Sequence, residues 1–287
     1  MKSYINKYRL SLEQAEKSSY TIQAYVKDLE QVFITIRATK LKDITEDSLK
    51  KYVNTLKKAN YDPKSISRKI NSIKSFYRFL KENNLVKLDP SEILHHPKIK
   101  DTPPRCLTKE EYTKLKSTCV NDLRTYTMIE LLLQTGIRIG ELCRLKLSDI
   151  CYKSKVKPYA IRIDKYESSS ARVVPLNLSA AETLCKFMNS LDLKNKNVYI
   201  FITRSGKPII IRNARTYISN AMKKAKIHNA TVNDLRNTFI FHQLKNGENI
   251  LRLSQIVGHK NLSSTIKYSK IKKGKYQPKT QVLLRSL

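Results

Sequence analysis

Four short segments of this chain join charged or nucleophilic side chains to tight backbone features. In Thr135-Gly136-Ile137-Arg138-Ile139-Gly140-Glu141-Leu142 an arginine follows a glycine break and opens a helix inside apolar sequence. Lys165 lies between two stretches of strand-like alternation. Asn233-Asp234-Leu235-Arg236 stands at the start of another helical pattern, and Gly258-His259-Lys260-Asn261 is followed, nine residues after His259, by Tyr268. Side chains of these types hold anionic oxygens, pass protons or attack as nucleophiles. Taken singly, each has an ordinary explanation. Arg138 can pair with a carboxylate such as Glu141, and a hairpin lysine is usually solvent-exposed. Gly258-His259 can be a helix stop with a satisfied imidazole. Tyr268 is one of 16 tyrosines, and most tyrosines pack or snorkel.

Charge indicates what such a set would act on. The 287 residues hold 56 Lys+Arg against 24 Asp+Glu, a formal net charge of +32. Both signs are interspersed through sequence that is 40% hydrophobic, which argues against wholesale disorder. A polyanion is the natural partner of such a surface, most simply a nucleic acid. Proteins that merely coat RNA tend to carry their charge in low-complexity tails, whereas here it runs through folded-looking segments. The five cysteines (Cys106, Cys119, Cys143, Cys151, Cys185) form no C-x-x-C pair, so neither a disulfide scaffold nor a zinc site is expected. No apolar run approaches the roughly 20 residues that a bilayer demands. Residues 1–25 lack an apolar signal core, so secretion is not expected and the predicted location is cytoplasmic.

The elements that must position these residues fall into two parts. Residues 1–96 read as helices throughout. Ile22, Tyr25, Val26, Leu29, Val32, Phe33 and Ile36 form one apolar stripe from Ser19 onward, and Thr45 caps a helix through Leu49, Tyr52, Val53 and Leu56. Asp62-Pro63 opens another, with Ile66, Ile70, Ile73, Phe76, Tyr77 and Leu80 inward. Its opposite face carries Lys64, Arg68, Lys69 and Lys74 with no acid interleaved, which favours phosphate contact over a merely solvated face. Residues 97–105 contain Pro97, Pro103 and Pro104 and read as a linker, so that two basic domains can clamp a duplex. The second part, 106–287, opens with a Thr108-x-x-Glu111 capping box. An apolar helix then runs to Gly136, and a new one starts near Ile139. PYAIRID and ARVVPL alternate as two strands of a hairpin, and residues 198–211 offer a further strand or pair. Helical patterns return over Ala214–Ala225, Val232–Leu244, Ile250–Val257 and around Tyr268.

Order and context together make the four segments specific. They resemble the tyrosine recombinase (phage integrase) family, in particular its two-domain Xer-like and archaeal Xer-like members. TGIRIGEL supplies Arg138, IDKYESSSARVVPL supplies Lys165, NDLR supplies Arg236, and VGHKNLSSTIKY supplies His259 and Tyr268. SSYTIQAYVKDLEQVF and KSISRKINSIKSFYRFLKENNLVKLDPSEILHHPKI resemble the family's core-binding helices, so the likeness spans nearly the whole chain. There are two departures. Asn233 stands where the family's H-x-x-R pattern has histidine; it can donate a hydrogen bond but cannot become cationic. The hairpin is also two residues longer than the family's usual form and lacks its glycines.

The resemblance implies a mainly α protein: an all-α, SAM-like core-binding domain and an α-rich catalytic domain with a small antiparallel sheet. It implies DNA cleavage by Tyr268 through a 3′-phosphotyrosine. Arg138, Arg236, His259 and Asn233 would hold the phosphate, and Lys165 would protonate the leaving oxygen. No two-metal carboxylate cluster and no Walker loop appear, so neither a metal nor a nucleotide cofactor is implied. The implied partner is a duplex with an inverted-repeat site, at which four protomers exchange strands through a Holliday junction in the nucleoid. A terminal helix after Pro278, with Val282, Leu283, Leu284 and Leu287 apolar, would dock on a neighbouring protomer, because so short a helix cannot bury that face alone. Two alternatives are a catalytically impaired DNA-binding accessory protein, for which Asn233 speaks, and a type IB topoisomerase-like relaxing enzyme, against which the first domain speaks.

Overall fold

The computed structural model describes all residues except 100–101, 154–156, 166–169, 192–198, 204, 270 and 272–287. The apolar tail around Val282 and Leu287 therefore lies outside the described residues. The chain divides into two compact units, Met1–Asp101 and Thr102–Leu287.

The first unit holds α1 (Lys2–Gln14), α2 (Ser19–Ile36), α3 (Glu46–Lys58) and α4 (Pro63–Glu82). Local chemistry sets their starts. Ser18 Oγ accepts from Thr21 N–H at 3.2 Å, and Thr45 and Ser48 cap each other. The Asp62 carboxylate accepts from Lys64 N–H at 2.8 Å, with Pro63 pre-set at the first helical position. Their apolar stripes meet in one core through Leu29, Leu49, Ile70, Phe76 and Leu80.

The packing of α2 on α4 corrects one reading of the basic face. Lys69 is buried, its Nζ donating to Asp28 Oδ1 at 2.9 Å and to Gln31 Oε1 at 2.5 Å. Arg68 and the Ser72 hydroxyl donate to the other oxygen of the same buried carboxylate. Removing Asp28 from water requires several donors to compensate it, and Lys69 is one of them. It is a structural cation and leaves the set of phosphate contacts. Lys64 and Arg68 are exposed, and Lys74 is half-buried.

The second unit runs α5 (Lys109–Thr118), α6 (Leu123–Thr135), α7 (Ile139–Arg144), β1 (Ile150–Tyr152), β2 (Pro158–Ile163), β3 (Arg172–Pro175), α8 (Leu178–Asn189), α9 (Ile211–Lys224), α10 (Val232–Lys245), α11 (Ile250–Val257) and α12 (Ser263–Ile266). Residues 127–135 of α6 are all buried, so α6 is the central helix, with α8, α9 and α10 against it. The sheet is antiparallel in the order β1-β2-β3, with Ile161 opposite Val174 and Ile163 opposite Arg172. Arg105 belongs by its contacts to this unit, donating to Glu111 Oε1 at 2.6 Å and to the His228 carbonyl at 3.2 Å.

Three features differ from the expected pattern. Residues 198–211 form no strand pair among the described residues. They make the isolated bridges Lys146–Tyr199 and Ile202–Pro208 around a tight turn in which Gly206 N–H donates to Thr203 O. Pro208 brings no N–H to a ladder. The strand β1 was not expected, since three residues are too few to display alternation. Helix α8 starts on an Asn177 cap, with Oδ1 accepting from Ala180 N–H at 3.0 Å, in sequence that carried no assignment.

Candidate active site

The site is built where the ends of α6, α10 and α11 converge. Helix α6 terminates at Gly136 with φ +64°, and a Cβ there would run into the Phe239 ring of α10. Glycine permits this reversal, and Arg138 then opens α7. Glu141, at the third position of α7, accepts from the Arg138 backbone N–H at 2.8 Å and from Arg138 Nη1 at 3.1 Å. The ordinary pairing of Arg138 with Glu141 is thus real. It leaves Nη2 to donate to the Gly258 carbonyl at 2.5 Å.

Arg236, one turn into α10, reaches the same place from the other side. It donates to the Gly136 carbonyl and, at 2.7 Å, to the Val257 carbonyl. Helix α11 stops at Gly258 with φ +67°, turning the chain so that His259 follows at once. His259 Nδ1 lies 2.8 Å from Thr265 Oγ1 of α12. The Tyr268 hydroxyl donates to Asn237 Oδ1 at 2.7 Å, and the Asn237 amide donates in turn to Asp234 Oδ1 at 3.0 Å. Tyr268 is 4% exposed.

Electrostatics confirm the convergence. Burial lowers the Arg236 pKa to about 9, and repulsion from Arg138 and Arg172 adds to this against the attraction of Glu141. Burial, then the charges of Arg236 and Arg138, lower His259 to about 4, so the imidazole is neutral near pH 7. Burial raises Tyr268 to about 12, although nearby Arg236 favours the phenolate. Guanidinium charge thus exceeds carboxylate charge here, an arrangement that an anion would relieve.

The structure brings Arg138, Arg236, His259 and Tyr268 together. Asn233 is exposed on the first turn of α10. Lys165 is exposed two residues beyond Ile163, and residues 166–169 of that connection lie outside the described residues. Among the described residues neither makes a hydrogen bond or ion pair to the cluster. Sequence reasoning missed Arg172, whose side chain is 8% exposed and pairs with Glu141. Its one signal was a lone charge leading an apolar strand. It also missed Asn237, whose signal was its i+3 spacing from Asp234 next to Arg236.

The chain matches the phage integrase family over residues 105–275 and the phage integrase N-terminal SAM-like domain over residues 5–84. It is similar to a tyrosine recombinase of Pseudothermotoga lettingae, 31% identical over 257 residues that cover 88% of this chain and 87% of that protein. Its fold is similar to the XerA recombinase crystal structure, with a TM-score of 0.53 and 25% identity over 95% of this chain and 94% of that one. It is also similar to a lambda integrase tetramer bound to a Holliday junction, with a TM-score of 0.72 and 18% identity over 93% of this chain and 76% of that one.

Proposed function

Because this chain belongs to the phage integrase family and is a site-specific DNA recombinase, we propose that Tyr268 is its nucleophile and that Arg138, Arg236 and His259 hold the scissile phosphate. The observation that carries this reading is the burial of Tyr268 beside Arg236 in its own subunit, in a cluster with surplus guanidinium charge.

Tyr268 gives up its phenolic proton to water, a loss that the nearby Arg236 charge favours, and the phenolate oxygen bonds to phosphorus as the bond from phosphorus to the 5′ oxygen breaks, leaving a 3′-phosphotyrosyl link. Arg138 and Arg236 give up carbonyl partners for two non-bridging oxygens. Preorganised donors aimed at such developing charge contribute roughly 3–4 kcal/mol each. His259 donates to the same phosphate, and Asn233 is a weaker, neutral donor. Lys165 is the general acid for the 5′ oxygen, a role that typically contributes roughly 10²–10⁴-fold. A 5′-hydroxyl of the second duplex reverses the step and exchanges strands through a Holliday junction. The covalent link conserves the phosphodiester, so no ATP is called for, and no step needs a metal.

Four protomers on two inverted-repeat sites carry out the exchange, with the tail after Pro278 docking on a neighbour. Lys64, Arg68 and Lys74 contact the duplex backbone from the first unit. No helix among the described residues is long and apolar enough to cross a membrane, and the protein acts on nucleoid DNA in the cytoplasm. The test is incubation with a nicked suicide duplex carrying the site. SDS-resistant protein–DNA adducts that vanish in Tyr268→Phe support the reading. Tight binding without adducts in the wild type would leave an accessory DNA-binding protein, and relaxation without exchanged products a topoisomerase.

A further inference from the structure

Arg172 opens β3, yet its guanidinium is turned inward onto the arginine cluster. Nη1 donates to Glu141 Oε1 at 2.9 Å and Nη2 to Glu141 Oε2 at 2.8 Å, a fork-to-fork pair. Nε donates to the Ile256 carbonyl at 2.7 Å. The group lies flush on the Gly258 backbone, where an added Cβ would come within 2.9 Å of Arg172 Cζ. All three faces of the guanidinium are engaged and the side chain is 8% exposed, so Arg172 does not itself offer charge to a phosphate.

Its partner is the same carboxylate that Arg138 uses. Arg138 Nη1 has only one 3.1 Å bond to Glu141 Oε1, and its side chain remains 38% exposed. Two guanidinium groups compete for one carboxylate, and Arg172 holds the two-bond geometry.

We propose that Arg172 is a positioning residue that occupies Glu141 and thereby leaves Arg138 free to take the scissile phosphate. Without Arg172, Arg138 is the one cation still bonded to the buried carboxylate among the described residues. Arg138 then turns its fork onto Glu141, and a phosphate-holding arginine becomes an internal ion pair. The inference rests on the reading of Arg138 as a phosphate-holding residue.

The experiment measures single-turnover cleavage of the suicide duplex, and duplex affinity separately, for wild type, Arg138→Ala, Arg172→Gln, Glu141→Gln and the double variant Arg172→Gln/Glu141→Gln. Glutamine at position 141 keeps the capping geometry of α7 while removing the charge that captures Arg138. Misplacing a catalytic group by about 1 Å costs on the order of 100-fold, so Arg172→Gln is expected to cleave about 100-fold more slowly than wild type at unchanged affinity. Adding Glu141→Gln to it should restore at least about tenfold of that loss, bringing the double variant level with Glu141→Gln alone. A merely structural Arg172 moves the other way, since the double variant then cleaves no faster than Arg172→Gln. That result overturns the inference, as does an Arg172→Gln protein that cleaves like wild type. If Arg172→Gln does not fold, the double variant, with both charges removed, is compared with Glu141→Gln. Equal rates support the inference, and a double variant at least about tenfold slower overturns it. Absence of any Tyr268-dependent adduct in the wild type, or full cleavage by Arg138→Ala, would instead remove the underlying reading.

Discussion

Asn237→Ala separates storage of the nucleophile from its use. The Tyr268 hydroxyl is buried and bonded to Asn237 Oδ1 at 2.7 Å, and the Asp234 contact holds that amide oxygen toward it. A neutral acceptor stabilises the protonated phenol, and burial raises its pKa from 10 to about 12. That shift is worth about 3 kcal/mol against the phenolate. To reach phosphorus the hydroxyl must leave Asn237. Deleting the acceptor loses a hydrogen bond and strands a buried donor, which together cost about 1–2 kcal/mol of stability. The same bond must break before attack, so the cleavage barrier falls by a like amount, a gain of roughly 5- to 30-fold in single-turnover rate. The assay pairs thermal or urea unfolding with the rate of adduct formation under saturating protein. A rate that falls toward that of Tyr268→Phe, with stability unchanged, would refute the argument and make Asn237 a participant in the attack.

The raised Tyr268 pKa also predicts a pH signature. Its stabilising contribution is complete below pH 10 and lost as pH rises through about 12, so Tyr268→Phe should make the alkaline fall of a stability-versus-pH curve shallower, while buried Tyr8, Tyr52 and Tyr77 still contribute to it. A curve identical to wild type contradicts the burial argument. Gly136→Ala forces a side chain into the left-handed region and against Phe239 and should destabilise the second unit by about 2–4 kcal/mol, read as a lowered unfolding midpoint. In the first unit, Lys69→Ala leaves Asp28 with Arg68 and Ser72 as its remaining donors and should cost about 1.5–3 kcal/mol of stability. Lys64→Ala should leave stability unchanged, weaken duplex binding and reduce the salt slope by about 1. Equal stability losses in both would return Lys69 to the surface set. Asn233→His should leave cleavage equal or raised, and a large loss would assign the asparagine a role of its own.

Features written in neighbouring residues were legible in the sequence, and features made by distant contacts were not. The Thr108–Glu111 box, the Asp62-Pro63 start and the Gly136 stop depend on residues within a turn of one another, and all appear where the pattern put them. Lys69 read as a surface cation because no acid is interleaved among Lys64, Arg68, Lys69 and Lys74, while its partner Asp28 lies 41 residues away on α2. Arg172 escaped notice for the same reason, its carboxylate standing 31 residues upstream. The stretch 198–211 is apolar enough for a strand but, among its described residues, makes the isolated bridges Lys146–Tyr199 and Ile202–Pro208 instead. The cluster itself was legible through the ordered set of motifs, whereas the carbonyls that Arg138 and Arg236 occupy follow only from where α6 and α11 end.

The most direct test of the account is to locate the covalent bond. The adduct formed on a suicide duplex is digested with protease and nuclease, and the modified peptide is sequenced by tandem mass spectrometry. The account predicts a nucleotide joined through its 3′-phosphate to Tyr268. A nucleotide on any other residue, or cleaved duplex with no protein attached, would contradict it.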